Sequence, residues 1–587
     1  MTCLHYTLSV QSRADHLFSL RLAIPAGEQQ VLTLTLPSWI PGSYMVRDFA
    51  KNIITLKVTT VDGETVNVQK LDKQTWQVDA RQRALVVDYT VYAFDLSVRA
   101  AYLCDEYGFV NGTSVFLSVA ELKDSPCKVS ISLSDATRDW SIHTSMPTGQ
   151  GNYYCENYAE LIDHPIFMGQ CVHDSTTVQG IEFSFVYSGT TPVNTRRICE
   201  DMVPICEHHL SLFPGPPPVK RYLFITLLSD TGFGGLEHKH STALLYPRFD
   251  LPLKREGGAK TDQYITFLSL CCHELFHTWH VKRLRPEVML KPNLAAEVYT
   301  RQLWIYEGFT SFYDDVTLAR KGLISPEKYL EIVAQNLTRL QVSKGRFKQS
   351  VAESSFDAWT KFYKQDASAP NSIVSYYTKG GIIAFGLDLL LRRKSQGKVS
   401  LDTLMQQLWR QYGANETGTP DDVIERVCQQ SFGIDVSDYL GRVVYGTEDV
   451  PLAEWVGDIG ISLHTRPKNS LSDRGGQPPT AAYQKHPLGA MVKNADTGVT
   501  VQVVFEGGAA SAAGLQVNDK IIALNGWVVT DVLLQRLLNQ TDASEVELTI
   551  VRDGRVLLLH LPVTQEQQDA CYFTIEDKAA FSAWLHN

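Results

Sequence analysis

Cys271-Cys272-His273-Glu274-Leu275-Phe276-His277 reads H-E-x-x-H, and no other stretch of the 587-residue chain constrains the fold as much. On a helix, positions i and i+4 share a face. His273 and His277 can therefore each present an imidazole nitrogen to one Zn²⁺, with Glu274 beside them as base for a water on the metal. The preceding Tyr264-Ile265-Thr266-Phe267-Leu268-Ser269-Leu270 has the composition of a buried helix. A dry wall of that kind orients metal ligands and strengthens the field of the metal. The same run also suits a core helix with two incidental histidines, so the motif needs context. Pro286 disfavours helical geometry in the residue ahead of it, which predicts a helix ending before that proline.

Catalytic zinc takes three protein ligands and a water, so a third ligand is required. Two downstream candidates stand out, Glu297 and Glu307. Glu307 is the lone carboxylate in the aromatic run Leu303-Trp304-Ile305-Tyr306-Glu307-Gly308-Phe309-Thr310-Ser311-Phe312-Tyr313. Burying an unpaired carboxylate is costly, whereas burying a metal ligand is not, and this favours Glu307. Glu297, in Ala295-Ala296-Glu297-Val298-Tyr299, reads equally well as a solvated residue.

Two further segments carry chemistry. Gly234-Gly235-Leu236-Glu237-His238 lies between the strand-like runs Arg221–Leu228 and Ser241–Tyr246. Glycine lets a backbone approach a ligand closely, and an acidic group there can pair with a substrate ammonium; a hairpin turn with a solvated Glu fits the spacing as well. Tyr376 and Tyr377 precede the helical run from Ile382 to Leu390. A tyrosine hydroxyl near zinc can donate to the oxyanion of a tetrahedral intermediate, but most of the 25 tyrosines must be structural.

Together the zinc motif and Trp304-Ile305-Tyr306-Glu307-Gly308-Phe309-Thr310-Ser311 resemble the gluzincin peptidases, and most closely the glycyl aminopeptidase family, whose members carry a PDZ domain. The aminopeptidase N family is a more distant relative. His277-Thr278-Trp279-His280-Val281-Lys282-Arg283-Leu284-Arg285-Pro286 is similar to that family's run after the second ligand, with His280 where the family carries Asn. Leu36-Pro37-Ser38-Trp39-Ile40-Pro41-Gly42-Ser43-Tyr44-Met45-Val46-Arg47 resembles its amino-terminal signature. The resemblance implies one Zn²⁺ held by His273, His277 and Glu307, with Glu274 as base. It aligns Glu237 and Gly235 with the Gly-x-Met-Glu-Asn loop of aminopeptidase N relatives, whose Glu binds the substrate's free α-amine. An anchor at fixed distance from the zinc admits one residue before the scissile bond. The strand Ser241–Tyr246 is then expected to bind the peptide by edge pairing. Tyr377, with Tyr376 as the fallback, aligns with the oxyanion tyrosine of Tyr-x-Lys-Gly.

A chain of this length exceeds one core and is expected to form three or four domains. Apolar content of 44% and charged content of 20% are ordinary for a globular protein. A net charge of −10 without a basic cluster excludes nucleic acid and anionic membrane as partners. The sequence from Met1 to Val10 lacks a basic segment followed by an apolar one, and no apolar run approaches the ~18 residues of a membrane span, so no membrane association is expected. Eleven scattered cysteines with no C-x-x-C pair suit free thiols and a cytoplasmic location. Cys271 and Cys272 read as small buried apolar residues rather than ligands.

The expected fold is a multidomain α and β chain: an N-terminal β-sandwich over 1–175, a thermolysin-like (gluzincin) mixed and helical catalytic domain over 176–450, and a PDZ-like domain over 488–565. Alternating runs such as Val31–Leu36 and Leu85–Tyr92, with turns at Asp62-Gly63 and Asn111-Gly112, carry the first assignment. Residues 451–487 are assigned to a first PDZ strand and a mobile Pro/Ser/Gly-rich linker, and 566–587 to a tail. Gly507-Gly508-Ala509-Ala510-Ser511-Ala512-Ala513-Gly514-Leu515 and the residues to Gly526 resemble the middle of a PDZ domain. Leu488-Gly489-Ala490-Met491 is its candidate carboxylate-binding loop for a peptide C-terminus, and a PDZ-like fold that only packs on the catalytic domain fits the sequence equally well. The function expected is zinc-dependent aminopeptidase action on peptides with a free N-terminus, favouring Gly and Ala, by Glu-assisted attack of zinc-bound water. A PDZ adaptor with a silent zinc site, or a zinc endopeptidase, are the alternatives.

Overall fold

Alternation of apolar residues along Leu4–Ser12, Leu17–Ile24 and Leu85–Tyr92 turns one face of each strand inward. In the computed structural model, which describes residues 3–480 and 483–586, these strands join a seven-stranded sheet. Residues 1, 2, 481, 482 and 587, in the assigned N-terminal, linker and tail segments, lie outside the described residues. Two four-stranded sheets complete a β-rich N-terminal region. Its core, including Phe18, Leu20 and Val87, is continuous with Leu223, Ile225 and Leu236 of the next sheet. The chain divides into two units, Met1–Val298 with Leu408–Thr419 and Tyr299–Gln407 with Pro420–Asn587.

In the first unit a five-stranded sheet carries the chemistry. Its strands are β1 (Cys171–Val178), β2 (Ile181–Ser188), β3 (Arg221–Ser229), β4 (Gly234–Glu237) and β5 (Ser241–Pro247), in the order β1-β2-β3-β5-β4. Helix α1 (Thr195–Leu212) makes the crossover that the parallel β2–β3 pair requires. Helix α2 (Asp262–Phe276) packs on β4 and β5. The expected peptide-pairing strand β5 is interior, flanked by β3 and β4; the edge is the short β4, read in the sequence as a loop. Two glycines in four residues hide strand character from a propensity reading.

The second unit holds α3 (Gly308–Arg320), α4 (Pro326–Val342) and α5 (Thr378–Ser395), followed by the PDZ sheet. That sheet consists of β6 (Ala490–Asn494), β7 (Val499–Val504), β8 (Lys520–Leu524), β9 (Trp527–Val528), β10 (Glu545–Arg552) and β11 (Arg555–Pro562). The order is β6-β7-β8-β10-β11 with β9 on β8, and α6 (Asp531–Gln540) adds Leu534 and Leu538 to the core. The assignments on either side of this module need correction. The strand Ile461–Arg466 does not join the PDZ sheet; it pairs with Ala570–Ile575 in a sheet of its own. The segment assigned as a tail therefore supplies a strand, and then a helix, Lys578–His586, whose Trp584 Nε1 donates to Asp388 Oδ2 at 2.7 Å. The Pro/Ser/Gly-rich linker is pinned as well. Buried Arg466 pairs with Asp473 at 2.6 Å, and Gly475 and Gly476, at φ 80° and 91°, lie against Thr338 and Glu331 of α4. Composition reports turn tendency but not anchoring. All eleven cysteines are free thiols. Among the described residues no helix is long and apolar enough to cross a membrane.

Candidate active site

Thr261 caps α2 by accepting from Tyr264 N–H, and Tyr264, Phe267, Leu268, Cys271, Cys272 and Leu275 bury its inner face. The helix ends at Phe276, ten residues before Pro286, and its C-cap His277 keeps helical geometry. The chain then turns sharply: Val281 takes φ 112°, a strained value for a β-branched residue. That turn brings the His280 carbonyl to 2.7 Å from His277 Nδ1. A carbonyl only accepts, so Nδ1 carries the proton and Nε2 keeps a lone pair for a metal. This contact at position 280 is made by the backbone and does not depend on the side chain there.

Glu274 sits under the edge strand. Thr242 Oγ1 of β5 donates to its Oε2 at 3.4 Å, and the Tyr222 hydroxyl donates to its backbone carbonyl at 3.3 Å. A side chain at Gly235 would place Cβ 1.9 Å from Glu274 Oε1. Gly235 is therefore required to make room for that carboxylate, a different reason from the close ligand approach its sequence context suggested. Glu237 ends β4 only 4% exposed, and its carboxylate forms no hydrogen bond or ion pair among the described residues. It faces Gly42 of the amino-terminal signature loop, where an added Cβ would lie 2.5 Å from Oε1. That loop is held by Trp39 Nε1 donating to the carbonyls of Asn293 and Ala296. Beyond Glu237 the chain is clamped by Asp163, which accepts from Lys239 N–H at 2.8 Å and Lys282 Nζ at 2.7 Å and lies 3.3 Å from His238 Nδ1. Burial alone would raise the Asp163 pKa, but Lys282 and His238 together hold it well below the usual carboxylate range.

In the second unit, Glu307 joins the short helix Leu303–Tyr306 to α3 and is 2% exposed. Glu297, its rival in the sequence, is exposed. The residue after Glu307 touches the helix that follows Tyr377: a Cβ on Gly380 would lie 2.8 Å from Gly308 Cα. Two glycines in contact let α3 and α5 approach at backbone distance, which draws Tyr377 toward Glu307. Sequence reading passed over Gly308 and Gly380; the available signal was a glycine directly after Glu307 and another shortly after Tyr377, each inside an apolar helical run. The Tyr377 phenol is pushed well above its ordinary pKa, by burial first and then by the Glu307 charge, so it stays a hydrogen-bond donor. Its hydroxyl lies 3.5 Å from that of Tyr363. Tyr376 is fully buried, stacked on Tyr377 with ring centroids 4.7 Å apart and tilted against Phe362 at 4.6 Å.

One ligand atom each from His273, His277 and Glu307 falls within 4.8 Å of the others. Two imidazoles and a buried carboxylate form the donor set that suits a zinc ion with one open position, so the residues present fit that metal.

Known proteins resemble this chain over nearly its whole length. Residues 5–170 match the Peptidase M61 N-terminal domain, residues 266–383 the M61 glycyl aminopeptidase, and residues 487–563 a PDZ domain. A solved structure described as an aminopeptidase N family protein from Idiomarina loihiensis is 38% identical over 99% of this chain and 100% of its own, with a TM-score of 0.96. An M1 zinc metallopeptidase from Deinococcus radiodurans is 13% identical, over 77% of this chain and 95% of its own, with a TM-score of 0.48. No curated protein matches.

Proposed function

The chain belongs to the M61 glycyl aminopeptidase family and is a metallopeptidase, and from that premise we propose that it removes single small residues, Gly and then Ala, from the free amino terminus of peptides. The observation that carries the exopeptidase reading is Glu237: a buried carboxylate that forms no ion pair among the described residues, at the end of an edge strand that crosses Glu274. A substrate ammonium supplies the missing charge, and its burial makes the pairing strong. A peptide adding to β4 in antiparallel sense runs from Glu237 toward Gly234 and passes its first carbonyl over Glu274.

His273, His277 and Glu307 would hold the Zn²⁺. When bound, zinc supplies Lewis acidity and lowers the pKa of water toward ~7. Glu274 accepts the proton of the attacking water and later delivers a proton to the leaving amine. The Tyr377 hydroxyl donates to the carbonyl oxygen as negative charge develops there. At the PDZ module, the segment Leu488–Met491 turns through Gly489 at φ 75° and is read as the receptor for a peptide carboxylate. Glu274 is not in the ligand set, and its presence speaks against a silent site.

Hydrolysis of Gly-, Ala- and Leu-anilides compared with an acetyl-blocked peptide tests the reading. Gly-anilide is expected to be the fastest, with about one zinc per chain by metal analysis and loss of activity in chelator. Faster cleavage of the blocked peptide would overturn the exopeptidase assignment in favour of an endopeptidase.

A further inference from the structure

An aminopeptidase holds one residue upstream of the scissile bond, so the rest of the substrate must leave on the downstream side. The second unit contains a path for it. A cleft of about 200 Å³ starts at Tyr377 and Thr378 and is bounded by Phe312, Ile382 and Arg339. A second, of about 170 Å³, shares Thr378 and Arg339 with the first and ends at Met491 of β6 and at Phe505 just after β7. Leu340, Phe362 and Ile373 make this second cleft apolar. Met491 is 52% exposed, on a strand whose outer edge is unpaired within the sheet.

The PDZ module is fastened where the second cleft ends. Asn371 Nδ2 donates to the Val504 carbonyl at 2.7 Å, and Asn371 Oδ1 accepts from Glu506 N–H at 2.9 Å. Lys348 pairs with Glu506, and Phe505 N–H donates back to the Gly489 carbonyl at 3.0 Å. This reciprocal clasp ties the exit of β7 to the helical part of the unit and joins it to the start of β6. It makes the module a fixed wall rather than a tethered adaptor.

We propose that the two adjoining clefts are subsites for the downstream part of the peptide substrate, with the PDZ sheet as their distal wall. The proposal rests on the reading of Tyr377 as the donor to the scissile carbonyl, because that places the start of the path at the reacting bond. The first cleft is mixed in polarity and takes varied residues. The apolar second cleft takes a bulky apolar side chain several residues beyond the cleaved bond. Contacts so far from the reaction contribute binding energy that truncated substrates forgo.

The test is a series of Gly-initiated peptides from dipeptide to octapeptide, with Leu or Ser at the downstream positions, read as kcat/KM relative to Gly-anilide. The ratio should rise about tenfold once a Leu reaches the second cleft. In Met491→Glu the rise should disappear. Val556→Glu, on exposed β11 away from the cleft, should keep it. Binding of a dye-labelled octapeptide to Glu274→Gln protein gives a readout without turnover, and Met491→Glu in that background should weaken it about tenfold. A flat length profile, or a rise or affinity indifferent to Met491→Glu, would overturn the proposal. Failure of the aminopeptidase reading shows separately, as preference for the blocked peptide over Gly-anilide.

Discussion

Two sheet edges in this protein offer the same backbone groups and differ in what stands at their ends. β4 is mostly buried and finishes in the Glu237 carboxylate; β6 is mostly exposed and begins just after Gly489, which turns the chain at φ 75°. An edge strand by itself pairs with any extended chain. On the proposed reading, selectivity comes from the terminal group, a carboxylate suited to an ammonium in one case and backbone N–H groups suited to a carboxylate in the other. Burial amplifies the first, because a charge pair removed from water is strong, whereas the second must work in solvent and draw on neighbouring apolar surface.

The contrast can be broken most forcefully at the chemistry beneath β4. Glu274→Gln should lower kcat on Gly-anilide about 10³-fold while metal analysis still finds one zinc per chain; retained turnover would remove the base from the mechanism. Glu237→Gln should cut kcat/KM for free-amine substrates about a hundredfold and abolish their advantage over blocked ones. If the advantage persists, β4 owes its selectivity to another group.

Asp163→Asn probes how rigidly β4's exit is held, and should cost about 3 kcal/mol at pH 7 in urea unfolding, because Lys282 loses its buried partner. The folded carboxyl pKa is depressed, so the wild-type advantage is complete above the unfolded value near ~4 and fades as pH falls below it. An advantage that grows in acid would refute this. Gly380→Ala inserts a methyl between α3 and α5 and should lower stability by about 2 kcal/mol, with a fall in kcat as Tyr377 shifts. Smallest is Gly489→Ala at the β6 edge: φ 75° and a Cβ 2.9 Å from Ala509 N predict a loss of about 1 kcal/mol by the same unfolding assay.

How much was legible beforehand follows the range of the interactions. His273, Glu274 and His277 are spaced by one helical turn, so their shared face is a local property and could be read directly. Glu307 was legible by its isolation among aromatics. β4 was not, because Gly-Gly-Leu-Glu carries no strand propensity and becomes a strand only by pairing with β5. The segment 461–480 failed for a related reason: its strand partner lies about a hundred residues away, at Ala570–Ile575, and its glycines are anchored on α4.

By itself the sequence determined the helix, the ligand types and the β-rich, helical and PDZ regions, since periodicity and residue chemistry act over a few positions. Tertiary structure alone decided which strand is the open edge, why Gly235 must be glycine, and that Gly308 and Gly380 meet. Each of these depends on atoms brought together from distant parts of the chain, where steric exclusion and pairing, rather than local preference, select the outcome.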